Sequence, residues 1–165
     1  MSSLITSDLS AFVLNELDRQ GLGIKREADL TQPELPSDIT AIDDEALMLL
    51  YTSFSAYTDF INTQLSCAIV DERETERLID ITTARKTLEL STGKASDKVT
   101  IIRAQIAADD EMIAMENKLL ARYAYRKMLE TMSNNCERST SVCSRELTRR
   151  TAGDNFKTRT RRFTA

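Results

Sequence analysis

The chain has 165 residues, of which 41% are hydrophobic and 29% are charged, so it can form one domain or a helical hairpin with tails but not a large multidomain enzyme. Only four Gly and two Pro occur, which argues against a β-sandwich or barrel and favours long helices, and the absence of His removes the commonest general base and zinc ligand. The net charge of −4 hides an uneven distribution, because residues 1–135 hold 14 basic and 23 acidic side chains whereas residues 136–165 hold eight and three.

The amino-terminal segment predicts a short amphipathic helix over 7–20, within a first region of residues 1–20. Ser7 or Asp8 can cap it, and apolar residues recur at helical spacing at Leu9, Phe12, Val13 and Leu17. Both prolines lie in the following segment, which predicts a linker over 21–39. The tethered helix is expected to pack on its own chain or on a neighbouring subunit, with docking onto another protein as the alternative.

A capping signal predicts the start of a long helix near Thr40. Thr40 and Asp43 have capping-box spacing, and the next residues are acidic, as the positive end of a helix dipole prefers. No Gly or Pro follows until Gly93, so about 50 residues can form one helix roughly 75 Å long.

The apolar side of this helix resembles a coiled-coil seam that one antiparallel partner in the chain cannot cover fully. We therefore expect its residues to make contacts between chains in a homo-oligomer. Beyond Ala68 the seam thins, so the far half of the helix is expected to be more mobile or to meet partner subunits. The predicted oligomerisation residues are Leu47, Leu50, Phe54, Tyr57, Ile61 and Leu65.

Polar residues around Gly93 predict a turn near 91–98, followed by an ambiguous segment over 99–108 that we interpret as helix. Asp109 and Asp110 can cap a second long helix that reaches about Arg150. The predicted fold is therefore all-α, with a long antiparallel, coiled-coil-like hairpin over 40–150, a short N-terminal helix and a basic, flexible C-terminal tail over 151–165.

The tail combines positive charge with aromatic rings. Between Phe156 and Phe163 it holds four cations and no acid, a composition that suits single-stranded nucleic acid because the cations neutralise phosphates while the rings stack on bases. An acidic protein surface and simple solvation are the alternatives. The tail residues predicted to bind DNA are Phe156, Lys157, Arg159, Arg161, Arg162 and Phe163.

Two further basic clusters accompany the hairpin. Arg145, Arg149 and Arg150 are also predicted to bind DNA, because they extend the positive field of the tail inward. Arg138 lies seven residues before Arg145, and cations near a helix C-terminus also interact favourably with the helix dipole. Arg85, Lys86, Lys94 and Lys98 surround the predicted turn, where the nearby acid Glu89 favours an ordinary solvated face.

Neither the carboxylates nor the thiols predict a catalytic or metal site. A straight hairpin offers no concave site where acids from different elements could converge on a cation. Cys67, Cys136 and Cys143 are odd in number and lack CxxC spacing, so reduced thiols in a cytoplasm are expected, and no apolar run approaches the roughly 20 residues that span a bilayer. We expect a soluble, unexported protein that is not an enzyme and holds no cofactor.

The order of features resembles the phage UvsY-type recombination mediators. The resemblance covers residues 43–150 and is carried by the segment 57–62 (YTDFIN), the pair Arg85-Lys86 ahead of Ser91-Thr92-Gly93, and a second long helix with an acidic start. The segment 144–150 (SRELTRR) also looks like proteins of actinobacterial phages.

The resemblance implies a helical oligomer that binds single-stranded DNA and helps to load a recombinase onto strands coated with single-strand-binding protein, in the cytoplasm of the host cell. It also implies DNA contacts at Arg85 and Lys86, although Thr87 departs from a denser basic run. The competing hypothesis is a phage structural or assembly protein whose hairpin makes contacts between subunits. Charge density favours the C-terminal end of the hairpin over its turn as the DNA surface.

Overall fold

The computed structural model describes residues 8–22, 31–91 and 99–163, with side chains as far as residue 152. The described residues form four helices and no strand: α1 (Asp8–Arg19), α2 (Asp44–Leu90), α3 (Val99–Ala107) and α4 (Asp110–Phe163). The predicted all-α helical hairpin is confirmed, because the two long helices α2 and α4 pack against each other in antiparallel directions. The predicted helix over 99–108 is also confirmed as α3.

The helix ends show how side chains and glycine set the boundaries. At the end of α1, Gly21 has a φ of 74°, and the N–H of Leu22 donates to the carbonyl of Leu17 at 2.9 Å while the N–H of Gly21 donates to Asp18 at 3.0 Å. These two hydrogen bonds satisfy the carbonyl groups of Leu17 and Asp18, which have no partner within the last turn of the helix. The left-handed backbone conformation at position 21 favours glycine, because glycine has no Cβ atom. The predicted cap at Ser7 lies outside the described residues.

The predicted cap of α2 at Thr40 is wrong, and the cap is Asp43. The N–H of Ala46 donates to Asp43 Oδ1 at 2.7 Å, whereas Thr40 donates from its N–H and its hydroxyl to Asp38 in a turn before the helix. Aspartate offers a charged acceptor at the positive helix end, which explains the displacement. The predicted acidic cap of α4 is confirmed, since Asp109 Oδ1 accepts from the N–H groups of Glu111 and Met112.

Packing divides the described residues into two compact units, and α2 and α4 contribute to both. The first unit contains residues 31–63 and 129–163 and has an apolar core of Leu47, Phe54 and Cys143, with half-buried neighbours such as Tyr51 and Leu147. Two pairs show the antiparallel direction here: the Ser133 hydroxyl donates to Asn62 Oδ1 at 2.7 Å, and Arg150 donates to Asp44 Oδ1 at 2.7 Å.

The second unit contains residues 8–22, 64–91 and 99–128, and it combines buried apolar residues such as Ile106 and Met112 with polar contacts between its helices. Arg126 forms an ion pair with Glu72, and Arg122 donates to the Asp71 carbonyl. Helix α1 packs on α2 through Ser10, whose buried hydroxyl donates to Asp71 Oδ1 at 2.5 Å. Charged and hydroxyl groups thus occupy buried positions beside the apolar residues of this unit.

The structure corrects the assignment of three predicted oligomerisation residues. Leu47, Phe54 and Ile61 are 0%, 3% and 1% exposed within a single chain, so they have no surface left for a second chain. Leu50, Tyr57 and Leu65 are half-buried on the same helix. The sequence pattern was that of a seam, but α4 of the same chain supplies the partner.

Helix α4 also continues beyond its predicted end near Arg150. Its backbone is helical through Phe163, so the segment predicted as a flexible tail begins as a continuation of the helix. No Pro interrupts the sequence after Arg150, and the one Gly in this region, Gly153, lowers helix stability without ending the helix.

Candidate nucleic-acid interface

A row of exposed arginines lies on α4 within the first unit. Two buried residues seven positions apart, Cys136 and Cys143, mark the inner side of this part of α4. An arginine follows each of them by two residues, which places Arg138 and Arg145 about 200° further around the helix. Both arginine side chains are therefore exposed. We call the exposed set Arg138, Arg145 and Arg149 the arginine row.

Two members of the arginine row have no partner of opposite charge among the described residues. Arg138 and Arg145 make no ion pair and no side-chain hydrogen bond with the part of the chain that the structure describes. Arg149 differs, because its guanidinium donates through Nε and Nη2 to the two oxygens of Glu146, each at 2.6 Å, although the arginine itself stays largely exposed. The positive field of the row thus comes chiefly from Arg138 and Arg145.

Arg150, which was also predicted to bind DNA, makes contacts that stabilise the first unit. Its mostly buried guanidinium donates to Glu146 Oε1 and Asp44 Oδ1, each at 2.7 Å, and to the carbonyl oxygens of Ile39 and Thr40. These contacts tie α4 to the segment that precedes α2 and to the first turn of α2. A phosphate would have to displace four acceptors to reach this side chain.

Glu146 accepts hydrogen bonds from both Arg149 and Arg150. Its side chain is 7% exposed, and hydrogen bonds from Arg149 and then Arg150 lower the pKa of its carboxyl from 4.5 to about 2, against the opposing effect of burial. The carboxylate therefore stays charged at any physiological pH. It neutralises one of the two arginines beside it, and Asp44 compensates the other.

The basic pair near the predicted turn is compensated by acids in the second unit. Lys86 is mostly buried, and its Nζ lies 2.8 Å from Asp109 Oδ1 and 2.9 Å from Glu111 Oε2, with hydrogen bonds to these two acids raising the pKa of the lysine. Arg85 is exposed but lies 3.9 Å from Glu89 and 3.8 Å from Glu111. The predicted DNA contact at Lys86 is thus occupied by an ion pair between α2 and the start of α4.

The remaining residues predicted to bind DNA follow residue 152, the last residue whose side chain is described. Phe156, Lys157, Arg159, Arg161, Arg162 and Phe163 are on the helical backbone of α4, but their side chains lie outside the described part, as do Lys94 and Lys98. In sequence, Phe156 and Phe163 follow Arg149 at successive seven-residue intervals. The predicted contact residues did not include Arg138, although its seven-residue distance from Arg145 was a usable signal.

No group of three metal-ligating side chains lies together among the described residues. The second unit contains a cavity of about 490 Å³ whose lining includes Ile102, Ile106, Met112, Arg103 and Glu116. This cavity is lined by none of the residues predicted to bind DNA.

The thiols of the first unit are unreactive at neutral pH. Burial raises the pKa of the Cys136 and Cys143 thiols, so both stay protonated.

Comparisons with protein-family models, with curated proteins and with solved structures give no match for this chain. Among the described helices, none combines the length and the apolar character needed to cross a bilayer.

Proposed function

We propose that this chain is an oligomeric, non-catalytic protein that binds single-stranded DNA through the arginine row and the basic end of α4, and that it acts as a recombination mediator that helps to load a recombinase. The observation that supports the proposal is the lack of any acidic partner for Arg138 and Arg145, among the described residues, on an exposed helix face. Uncompensated exposed arginines attract phosphates, whereas the paired Lys86 and Arg150 stabilise the fold.

The sequence that follows the row adds to this charge. Residues 156–163 contain four cations and two phenylalanines without an acid. Cations that follow the phosphate backbone and rings that stack on bases together describe a surface for unpaired strands, because bases in a duplex have no free face for stacking. The mediator part of the proposal rests on the resemblance to UvsY-type proteins.

The arginine row is tested by a fluorescence-polarisation titration with labelled oligo-dT over a range of salt concentrations. Replacing Arg138 and Arg145 with Gln should weaken binding and lower the log–log salt slope by about 1.4, since each lost phosphate contact contributes about 0.7 on single strands. Arg85→Gln is the control for the single variants Arg138→Gln and Arg145→Gln, each expected to lower the slope by about 0.7, because it removes one exposed arginine that already has acidic partners. An unchanged slope in the double variant, or an equal effect in the control, would contradict the proposal.

The basic end of α4 is tested separately. Deleting residues 156–165 should remove up to about 2.8 slope units, whereas replacing Phe156 and Phe163 with Ala should cost roughly 1–3 kcal/mol per lost stack and leave the slope nearly unchanged. If the deletion variant keeps the affinity and the salt slope of wild type, the basic end of α4 does not contact DNA, and the DNA surface is limited to the arginine row.

The mediator role needs its own assay. Added to strands coated with a single-strand-binding protein, the chain should shorten the lag before recombinase filaments assemble. If the chain binds DNA but does not shorten the lag, the proposed mediator role is contradicted, whereas the proposed DNA binding is supported.

A second candidate function is that of a structural or assembly protein of a phage. It is favoured by large apolar side chains at the surface, among them Leu49, Leu88, Leu120 and Met128. The same titration with an acidic peptide of equal charge separates the two candidates, because a peptide that binds as tightly as oligo-dT favours the assembly role.

A further inference from the structure

The outer side of α4 in the first unit carries more than the arginine row. Within about 100° of arc around the helix, two amides and one apolar side chain join the three arginines, and all six side chains are exposed. We call this surface the outer band, and its residues are Asn134, Asn135, Arg138, Val142, Arg145 and Arg149.

The acids of this part of α4 lie outside the outer band. Glu137 is exposed, but its position is about 60° of arc beyond Asn134, which marks one edge of the band. Glu146 lies beyond the other edge, where it is buried and accepts hydrogen bonds from Arg149 and Arg150. A chain of phosphates on the band therefore meets cations and neutral groups, whereas a chain displaced towards Glu137 meets a carboxylate.

The two amides of the outer band are available to a ligand. Neither Asn134 nor Asn135 makes a side-chain hydrogen bond with the part of the chain that the structure describes. Each amide offers two N–H donors and one acceptor oxygen, and asparagine side chains commonly donate to phosphate and sugar oxygens of DNA. The amides precede Arg138 by four and three residues, so a phosphate bound by this arginine brings neighbouring backbone oxygens within their reach.

The spacing of the arginine row sets the direction of a bound strand. Along the axis, Arg145 lies about 10 Å from Arg138 and Arg149 about 6 Å farther, while the three differ by no more than about 40° around the helix. A strand that crosses the helix would pass one arginine. A strand that runs lengthwise would pass all three and both amides.

We infer that a single strand of DNA lies lengthwise on the outer band, and that Asn134 and Asn135 donate hydrogen bonds to its phosphate and sugar oxygens. The inference rests on the proposed function and deepens it, because it names the sugar–phosphate backbone as the part of the strand that this surface recognises. Such contacts carry no sequence information, so binding to the band is independent of the bases. Val142, at 38% exposure, offers apolar surface to the sugar carbons between Arg138 and Arg145.

The amides are tested by titrating the full-length chain with labelled oligo-dT and with oligo-dC of equal length over a range of salt concentrations. Asn134→Ala and Asn135→Ala should each weaken binding about fivefold for both oligonucleotides, the effect of one lost neutral hydrogen bond. The salt slope should stay that of wild type, because a neutral amide displaces no counterion. Asn15→Ala, which removes an exposed amide of α1, is the control and should leave the affinity unchanged. Alanine favours a helix more than asparagine does, so these variants should keep the helical circular dichroism of wild type.

The path of the strand is tested by adding one negative charge on or beside the outer band. Val142 is four residues after Arg138 and three before Arg145, so the carboxylate of Val142→Glu can pair with both arginines and should lower the slope by about 1.4. Ser144→Glu is the matched control. Ser144 is exposed on the same helix, lies on the side of Glu137 and has no arginine three or four residues away, so its variant should change the slope much less.

Three results would overturn the inference and leave DNA binding by the arginine row intact. They are wild-type affinity in both asparagine variants, a loss of affinity that differs between oligo-dT and oligo-dC, and equal effects of Val142→Glu and Ser144→Glu. Failure of the proposed function is a different result, because replacing Arg138 and Arg145 with Gln would then leave the slope unchanged. That result would overturn both the proposed function and the inference.

Discussion

Leu47→Ala tests whether the seam of α2 belongs to one chain. Leu47 is 0% exposed and packs in the first-unit core with Phe54 and Cys143. Truncation removes the transfer free energy of the lost methyl groups and leaves a cavity, a combination that costs 2–5 kcal/mol in well-packed cores. The surrounding residues Leu50 and Leu147 are only partly buried, so they can relax into the space, and we expect a loss of about 2–3 kcal/mol.

The measurement is urea unfolding followed by the helical circular dichroism signal, with native mass measured in parallel. Leu49→Ala is the control, because its side chain is 68% exposed and should change the free energy of unfolding by less than about 0.5 kcal/mol. Leu47→Ala should retain the native mass of wild type, since the residue contacts its own chain. Equal losses in the two variants, or a reduced mass for Leu47→Ala, would refute the assignment of this residue to the core of a single chain.

Three further predictions concern charge and thiols. Because the folded pKa of Glu146, about 2, lies below its ordinary 4.5, the residue contributes stability that is present above about pH 4.5 and is lost as pH falls through about 2. In the Glu146→Gln variant, Tm should therefore decrease less between about pH 4.5 and pH 2 than it does in wild type. The same decrease of Tm in both proteins would contradict this prediction. Arg126→Met should cost about 1–3 kcal/mol because it removes a partner of the nearly buried Glu72, and adding Glu72→Met should recover part of the loss; a double variant less stable than the single one would count against this pairing. Cys143, which is fully buried, should react with a thiol reagent only when the first unit opens, so reaction at the rate seen in denaturant would contradict the core assignment.

Local patterns in the sequence determined the elements of this fold. The scarcity of Gly and Pro predicted long helices, the acids at Asp109 and Asp110 predicted the start of α4, and apolar recurrence identified Leu47, Phe54 and Ile61 as residues that need a partner. Such signals depend on residues a few positions apart, which sequence alone displays.

The tertiary structure decided which partner each side chain has. The sequence could not distinguish Arg145 from Arg150, since both are arginines near the end of one long helix, yet one lacks an acidic partner in the described part and the other binds Asp44 over 106 residues of chain. It likewise could not show that Asp71, Glu72 and Thr75 are buried in the second unit while Ile81 stays exposed, because periodicity marks a face without saying what lies against it. Long-range pairing selects among faces and partners that are equivalent in local sequence, and here it makes α4 of the same chain the partner of the α2 seam.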